Sequence, residues 1–472
     1  MKHINIGVLM EKNDHSKGAI GITKQLAEWI CQFDFNQIPP EIVEFAKVHI
    51  MDCIGVSLFG SLHANSKRIQ SYVKSIGGIT HASILGGSFK TSAPLAALAN
   101  GYMAHVNDWD DTMTTMRSHP TATIFPAVLA LGEMLNVSGA KIIESYIAGV
   151  EIAGKIGRGI NPEHSKHWHA AGTIGCLGAA AGAAKILRLG VDEIRSAIGI
   201  AASEASGLRK NKGTSTKPFH IGNAARGGVV AALLVKEGLQ GNPDILEGQF
   251  GFCDVYCGKE HYHLGKIVEG LGDPFEVYSP GIDIKPYPCC SRALTGIDAI
   301  LSLIEEHDLQ PEAVDRIDCG VGYTTPLSLI HPNPKTGLEA QFSMGFCVAV
   351  ALVDRKVSTE QFTDEKVNDS RVQGLMKKFH LYIRSDLKGI ESSASNACTL
   401  KVRLKNGDEH TKSVDKNKGT FQNPMSYKER INKFRDCTNG VLSKKHIDQC
   451  QDLIEHLDGI KKISNLTNII RG

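Results

Sequence analysis

Between two apolar segments the chain carries NDWDDTMTTMRSHP, residues 107–120, which packs three carboxylates, four hydroxyls, an arginine and a histidine together. That mixture suits acid–base chemistry, a metal site or a solvated loop. If the preceding helix runs on through it, the 100° step puts His105, Asp108 and Thr112 on one side, Asp111 at its margin and Asp110 opposite. On that geometry the three carboxylates do not act together, and they do not readily converge on a metal. Asp110 and Asp111 then read as capping or solvated residues, and Asp108 as the functional candidate. His119 precedes Pro120, which restricts it to extended backbone and starts a helix. Near a helix N-terminus an imidazole binds a carboxylate or stays neutral and exchanges a proton. Arg117 adds a bidentate carboxylate clamp.

Two lysines share a local arrangement. Lys217 precedes Pro218 in GTSTKPFHIGNAARGG, and Lys285 precedes Pro286 in DIKPYPCC. A stiffened backbone aims a long cationic side chain more reproducibly. His169 opens the Ala/Gly-rich segment HWHAAGTIGCLGAAAG, too apolar to be a surface helix, whereas His164 and His167 read as exposed.

The elements that must hold these residues are mostly helices. From about 20 to 280, apolar positions recur three and four apart in TKQLAEWICQF, PPEIVEFAKVHIMDCIGVSLFG, SAPLAALANGYMAHVND and the segments after them. Ser92 is an N-cap and Pro94 sits in the first turn of the third. Abundant Ala and Gly let helix axes approach closely. Near 281 the texture changes. VDRIDCGVGYT reads as a strand, LEAQFSMGFCVAVALVD as a helix, and CTLKVRLKNGDEHTKSVD as a hairpin about Asn406–Gly407. After NPMSY the chain returns to helices. The expected fold is mainly α: a disordered leader (1–19), a large discontinuous all-helical domain (20–280 and 416–472), and a smaller α+β lid domain (281–415).

Composition narrows the function. A 42% hydrophobic and 22% charged chain of 472 residues is ordinary for a globular protein, and a net charge of +2 argues against nucleic acid. No apolar run nears the roughly 20 residues of a spanning helix, so no membrane partner is expected. No signal peptide is visible, and the 12 scattered cysteines show no disulfide framework. A cytoplasmic protein with reduced thiols is the expectation. GGSFKTS lacks the glycines of a phosphate loop, and no GxGxxG follows a strand. DWDD fits the Asp-X-Asp-Asp of protonating terpene cyclases, but 6% aromatic residues are too few to line a carbocation cavity.

Taken in order, NGYMAHVNDWDDT, HPTATIFPAVLALGE, WHAAGTIGCLGAAAGAAKIL, GTSTKPFHIGNAARGGVVAALL, KPYPCC and LEAQFSMGFCVAVAL resemble the MmgE/PrpD family. That family includes 2-methylcitrate dehydratases, cis-aconitate decarboxylases and an iminodisuccinate epimerase. The resemblance implies a homodimer whose site lies between the domains and works on a small di- or tricarboxylate without metal or cofactor. Carried across by motif, it implies Asp108, Thr112, His119, His169, Lys217, Lys285 and Tyr323, the last in GVGYTTP, as site residues. Three departures accompany it. The 108–119 stretch is one residue longer than in animal cis-aconitate decarboxylase. Cys290 stands where that enzyme has a histidine. Lys212 stands where many bacterial relatives have an aromatic. The opening stretch is more similar to the epimerase branch than to authentic dehydratases.

The shared reactions make or quench a carbanion beside a carboxylate, so positive charge must first neutralise the substrate. Lys217, Lys285 and Arg117 supply it, His119 and His169 exchange protons, Asp108 orients a histidine, and Tyr323 donates from the lid. Thr112 and Cys290 contact substrate. Dehydration or epimerisation is the expected chemistry, with cis-aconitate decarboxylation as the alternative. An inactive helical scaffold is the non-enzymatic reading, and stabilisation by citrate would count against it.

Overall fold

A computed structural model describes residues 21–389 and 396–472; the expected leader lies outside the described residues. The helices follow the apolar periodicity closely. They are α1 (Ile22–Gln32), α2 (Pro40–Ser61), α3 (Ala64–Ile76), α4 (Ala93–His105), α5 (Pro120–Leu135), α6 (Gly139–Ile160), α7 (Glu163–His167), α8 (Ile174–Leu187), α9 (Val191–Glu204) and α10 (Thr216–Lys236). α4 begins as expected, with Ser92 at the N-cap and proline in its first turn. α10 starts at Thr216, which places Lys217 in its first turn.

The small residues of these helices set their spacing. A Cβ built on Gly222 of α10 would lie 2.2 Å from the Leu98 carbonyl oxygen of α4, and one on Gly101 would lie 3.0 Å from Gly222 Cα. Only glycine lets the two backbones meet there. The contact puts the C-terminal end of α4, with His105, against the first turn of α10, with Lys217.

Four short strands form two ribbons. β1 (Ala82–Ser83) pairs with β2 (Lys90–Thr91), and β3 (Thr112–Met113) pairs antiparallel with β4 (Ile282–Asp283), Thr112 opposite Asp283. The main sheet has β5 (Val314–Val321), β6 (Phe379–Ile383), β7 (Cys398–Leu404) and β8 (Glu409–Val414) in the order β6-β5-β7-β8. β5 and β6 run parallel; the other pairs are antiparallel, and β7–β8 is the expected hairpin. The segment expected as one helix over 338–354 breaks into Gly337–Ala340 and Met344–Asp354, because Ser343 caps the second with its hydroxyl.

The chain is mainly α with a smaller α+β region, and among the described residues it buries two large hydrophobic cores and a small cluster of Val56, Trp109 and Cys437. One joins apolar side chains from 26–282 with those from 434–470; the other lies within 289–402. No helix of the described residues is long and apolar enough to cross a membrane. All twelve cysteines are free thiols.

Candidate active site

α4 ends at His105, and the helix does not run on. Asp108 takes a left-handed backbone, φ +49°, so the chain turns sharply there and the expected helical placement of 108–112 fails. The consequence is that all three carboxylates point inward: Asp108, Asp110 and Asp111 are 4%, 1% and 1% exposed. The expectation that Asp110 and Asp111 are solvated, and that the carboxylates do not converge, is corrected. Asp111 does cap: its Oδ1 accepts from the Thr121 backbone N–H at the start of α5, and its Oδ2 lies 3.1 Å from His49 Nδ1 and accepts from the Thr121 hydroxyl. It ties α2 to α5.

Asp110 belongs to the site. Its carboxylate lies 2.8 Å from His105 Nδ1 and 3.2 Å from His119 Nδ1. On its other side His105 Nε2 is 2.5 Å from Lys217 Nζ. An ammonium only donates, so Nε2 accepts and Nδ1–H donates to Asp110. His105 is therefore a neutral linker, and burial pushes it down to about 3, with Asp110 acting in the opposite sense. Burial alone would raise the Asp110 carboxyl; the two imidazoles more than reverse that and hold it well below the usual range.

Lys217 also donates to Asp108 Oδ2 at 3.1 Å, and Lys285 donates to Asp108 Oδ1 at 2.5 Å and to its backbone carbonyl at 2.8 Å. Burial disfavours the Asp108 charge, but Lys217 and then Lys285 outweigh it and hold the carboxyl well below its ordinary value. Burial likewise pulls Lys285 down, and Asp108 and Asp110 more than restore it, leaving it raised. So Asp108 holds two ammonium groups and not a histidine, as the sequence suggested; Asp110 is the carboxylate that orients the rings.

His119 is the N-cap residue of α5, as its proline implied. Its Nδ1 donates to the Asp111 carbonyl at 2.9 Å, which leaves the Nε2 lone pair for proton transfer, 4.0 Å from Asp108 Oδ1. His169 lies in the turn before α8 and not on the helix itself, with its N–H held by the Gly207 carbonyl at 2.9 Å. Its Nδ1 is 3.2 Å from His220 Nδ1. Burial, then the charge of Lys217, keeps His169 well below its ordinary value, so it is a neutral imidazole. The His105, His119 and His169 rings lie 4.3–6.3 Å apart. His164, expected at the surface, is fully buried against Phe252 and donates to or accepts from the Thr173 hydroxyl at 2.7 Å; His167 is exposed.

These groups face a cavity of about 680 Å³ lined from both cores. Asp108, Thr112, Arg117, His119, His169 and Lys217 reach it from the helical side, and Lys285, Cys290 and Tyr323 from the α+β side. Every site residue expected from sequence thus meets at one cavity. Arg117 sits exposed at φ +54° in the turn after β3. Cys290 is partly buried, and burial raises its thiol. Arg209, Lys212 and Arg292 line the cavity too and were not read as site residues. His105, Asp110 and His220 were missed as well. A histidine ending an apolar helix, five residues ahead of an aspartate, was the available signal for the first two.

Among the described residues His105, His119 and His169, or the first two with Asp108 and Asp110, bring ligand-type atoms within 4.8 Å. Yet both nitrogens of His105 are engaged, and Lys217 sits where a cation would bind. A metal would have to displace that ammonium.

The MmgE/PrpD N-terminal domain matches residues 24–265, and the MmgE/PrpD C-terminal domain matches residues 287–458. The chain belongs to the MmgE/PrpD family. It is 27% identical over 463 residues to a cis-aconitate decarboxylase of Mus musculus, covering 96% of this chain and 93% of the relative. It is 26% identical over 464 residues to that of Homo sapiens, covering 96% and 95%. A cis-aconitate decarboxylase of Aspergillus terreus is 25% identical over 488 residues, covering 98% of each. The two family domains meet at the cavity described above, one supplying the histidines and the other Cys290 and Tyr323, with Lys285 in the segment that joins them.

Proposed function

We propose that this protein is an enzyme that makes and quenches a carbanion beside a carboxylate of a small di- or tricarboxylate, using its own side chains. The observation that carries the reading is the charge of the cavity. Seven lysine and arginine side chains line it against two carboxylates, Asp108 and Asp283, around two imidazoles. A site so cationic is completed by a ligand with several negative charges.

The bound substrate neutralises the ammonium groups of Lys217 and Lys285, which lowers the barrier to a second negative charge on the adjacent carbon. His119 Nε2 takes a proton from that carbon or returns one. His169 is kept neutral by burial and by Lys217, and a substrate carboxylate offsets that cation and restores its basicity. Tyr323 lines the same cavity as a second donor. With a β-hydroxyl leaving, this gives dehydration; with protonation from the other face, epimerisation. Decarboxylation is the second reading, favoured by the full-length likeness to cis-aconitate decarboxylases. There, loss of carbon dioxide from the saturated arm leaves an allylic carbanion that an imidazolium quenches. Cys290 in place of a histidine is the departure within this reading. The homodimer is part of the proposal, tested by light scattering.

Proton NMR in D2O with 2-methylcitrate, citrate, cis-aconitate and substituted succinates, including iminodisuccinate, tests these readings together. Deuterium entering an α-position without loss of water or carbon dioxide means epimerisation. A new alkene from a hydroxy acid means dehydration, and itaconate from cis-aconitate means decarboxylation. Absence of all three across the panel counts against the proposal.

A further inference from the structure

Four lysines line the cavity, and three have carboxylate partners. Lys166 pairs with Glu163, while Lys217 and Lys285 share Asp108. Among the described residues, the fourth, Lys212, has neither an ion pair nor a hydrogen bond at Nζ. It closes a single 3-10 turn, Arg209–Asn211, its own N–H donating to the Arg209 carbonyl. Arg209 gives its guanidinium to three backbone carbonyls, of Ser165, Lys166 and Leu327, and to no carboxylate. One turn of backbone therefore carries two cations into the same cavity with no anion to balance them. Burial, then repulsion from Arg209 and Lys217, pushes Lys212 down to about 8, against weaker support from Cys290 and Asp108. A folded chain that holds two such cations side by side on a half-buried wall destabilises itself by their repulsion unless an anion arrives.

We propose that Lys212, backed by Arg209, docks a substrate carboxylate remote from the reacting carbon, so that the site selects acids with at least two carboxylates. This rests on the function proposed above and assigns the substrate's second anchor. The two poles differ in kind. At Lys217 and Lys285 one carboxylate, Asp108, already offsets half the charge; at Lys212 and Arg209 no carboxylate does. The first pole is poised beside the histidines, where proton transfer takes place. The second holds only charge, so Lys212 is a binding and specificity residue.

Titration calorimetry with propane-1,2,3-tricarboxylate as the probe tests the assignment on the full-length protein. Lys212→Met should weaken binding by about tenfold or more, the loss of one charge-assisted contact. Lys212→Arg should restore affinity to within a few-fold of the starting protein. Lys166→Met, which removes a charge that Glu163 already neutralises, should change affinity far less. The melting temperature of Lys212→Met without ligand should equal or exceed that of the unaltered chain, because a repulsion has been removed. Undiminished binding by Lys212→Met, or a loss no larger than that of Lys166→Met, overturns the subsite and leaves the proposed function standing. No binding of the probe by the unaltered protein overturns both, and is distinguishable for that reason.

Discussion

Lys217 Nζ lies 2.5 Å from His105 Nε2, and the ammonium donates to the ring. This contact fixes the tautomer of His105, hence its bond to Asp110, and through Asp110 the setting of His119. His105→Gln leaves Lys217 with Asp108 as its remaining carboxylate partner and takes from Asp110 the nearer of its two imidazoles. Turnover should fall about a hundredfold, the scale of a misplaced catalytic group, with the melting temperature little changed. Unaltered turnover would remove His105 from the positioning chain.

His169→Ala and Lys217→Ala should each lower turnover by about two to four orders of magnitude, the range for a lost proton carrier or charge stabiliser. Circular dichroism should show both variants folded. Near-normal rates in both would sink the proposed chemistry.

Asp111 has a different part. It is buried between His49 and Thr121 and has no place in the cavity lining. Asp111→Ala should destabilise the protein by about 3 kcal/mol, the scale for breaking a buried polar pair, measured by denaturant unfolding. A stable variant would show that α2 and α5 need no such tie.

Asp283 is raised by burial to about 6, and Glu151, also by burial, to about 7. A carboxyl whose folded-state value lies above its unfolded one binds its proton more tightly in the folded state. Its stabilising effect is present at low pH and is lost as pH rises through the folded-state value. Asp283→Asn should therefore raise the melting temperature at pH 8, and the gain should vanish near pH 4. A lower melting temperature at pH 8 would contradict the assignment.

Gly222→Ala forces a methyl group to within 2.2 Å of the Leu98 carbonyl. Overpacking of this kind costs about 1–3 kcal/mol, and the shift of α10 carries Lys217 with it. Both stability and turnover should fall. Gly374→Ala, in the helix Ser370–Met376 with no atom within 4 Å, is the control and should leave both intact or slightly improved. Equal behaviour of the two variants would refute the close-approach argument.

The helices were legible because their apolar periodicity is long, and the hairpin because its alternation flanks Asn406–Gly407. The three-residue break at 341–343 was not, since a serine hydroxyl ends the apolar run without changing its pattern. Motifs located Asp108, His119, His169, Lys217 and Lys285, but not their bonding. The left-handed turn at Asp108 decides which way Asp110 faces, and no composition signal marks a positive φ on an aspartate. Arg209 and Arg292 were missed for another reason. Arg209 sits in polar sequence that reads as surface, and Arg292 between a run of breakers and a helix; only the meeting of the two cores makes both part of a wall.

Lys433, in the returning helix Tyr427–Thr438, donates to the Trp109 carbonyl at 2.9 Å and pairs with Asp52 at 2.7 Å. From the α+β side, Gln341 donates to the Asn107 carbonyl at 2.9 Å. The turn that bears Asp108 is thus clasped by residues that lie 234 and 324 positions further along the chain. The segments that carry His119 and His169 are made well before the residues that lock the neighbouring turn, so that turn cannot set until the two cores have come together. A protein shortened before Tyr427 should lack the Lys433 clasp and populate an incompletely folded state, read by hydrogen exchange at the Asp108 turn.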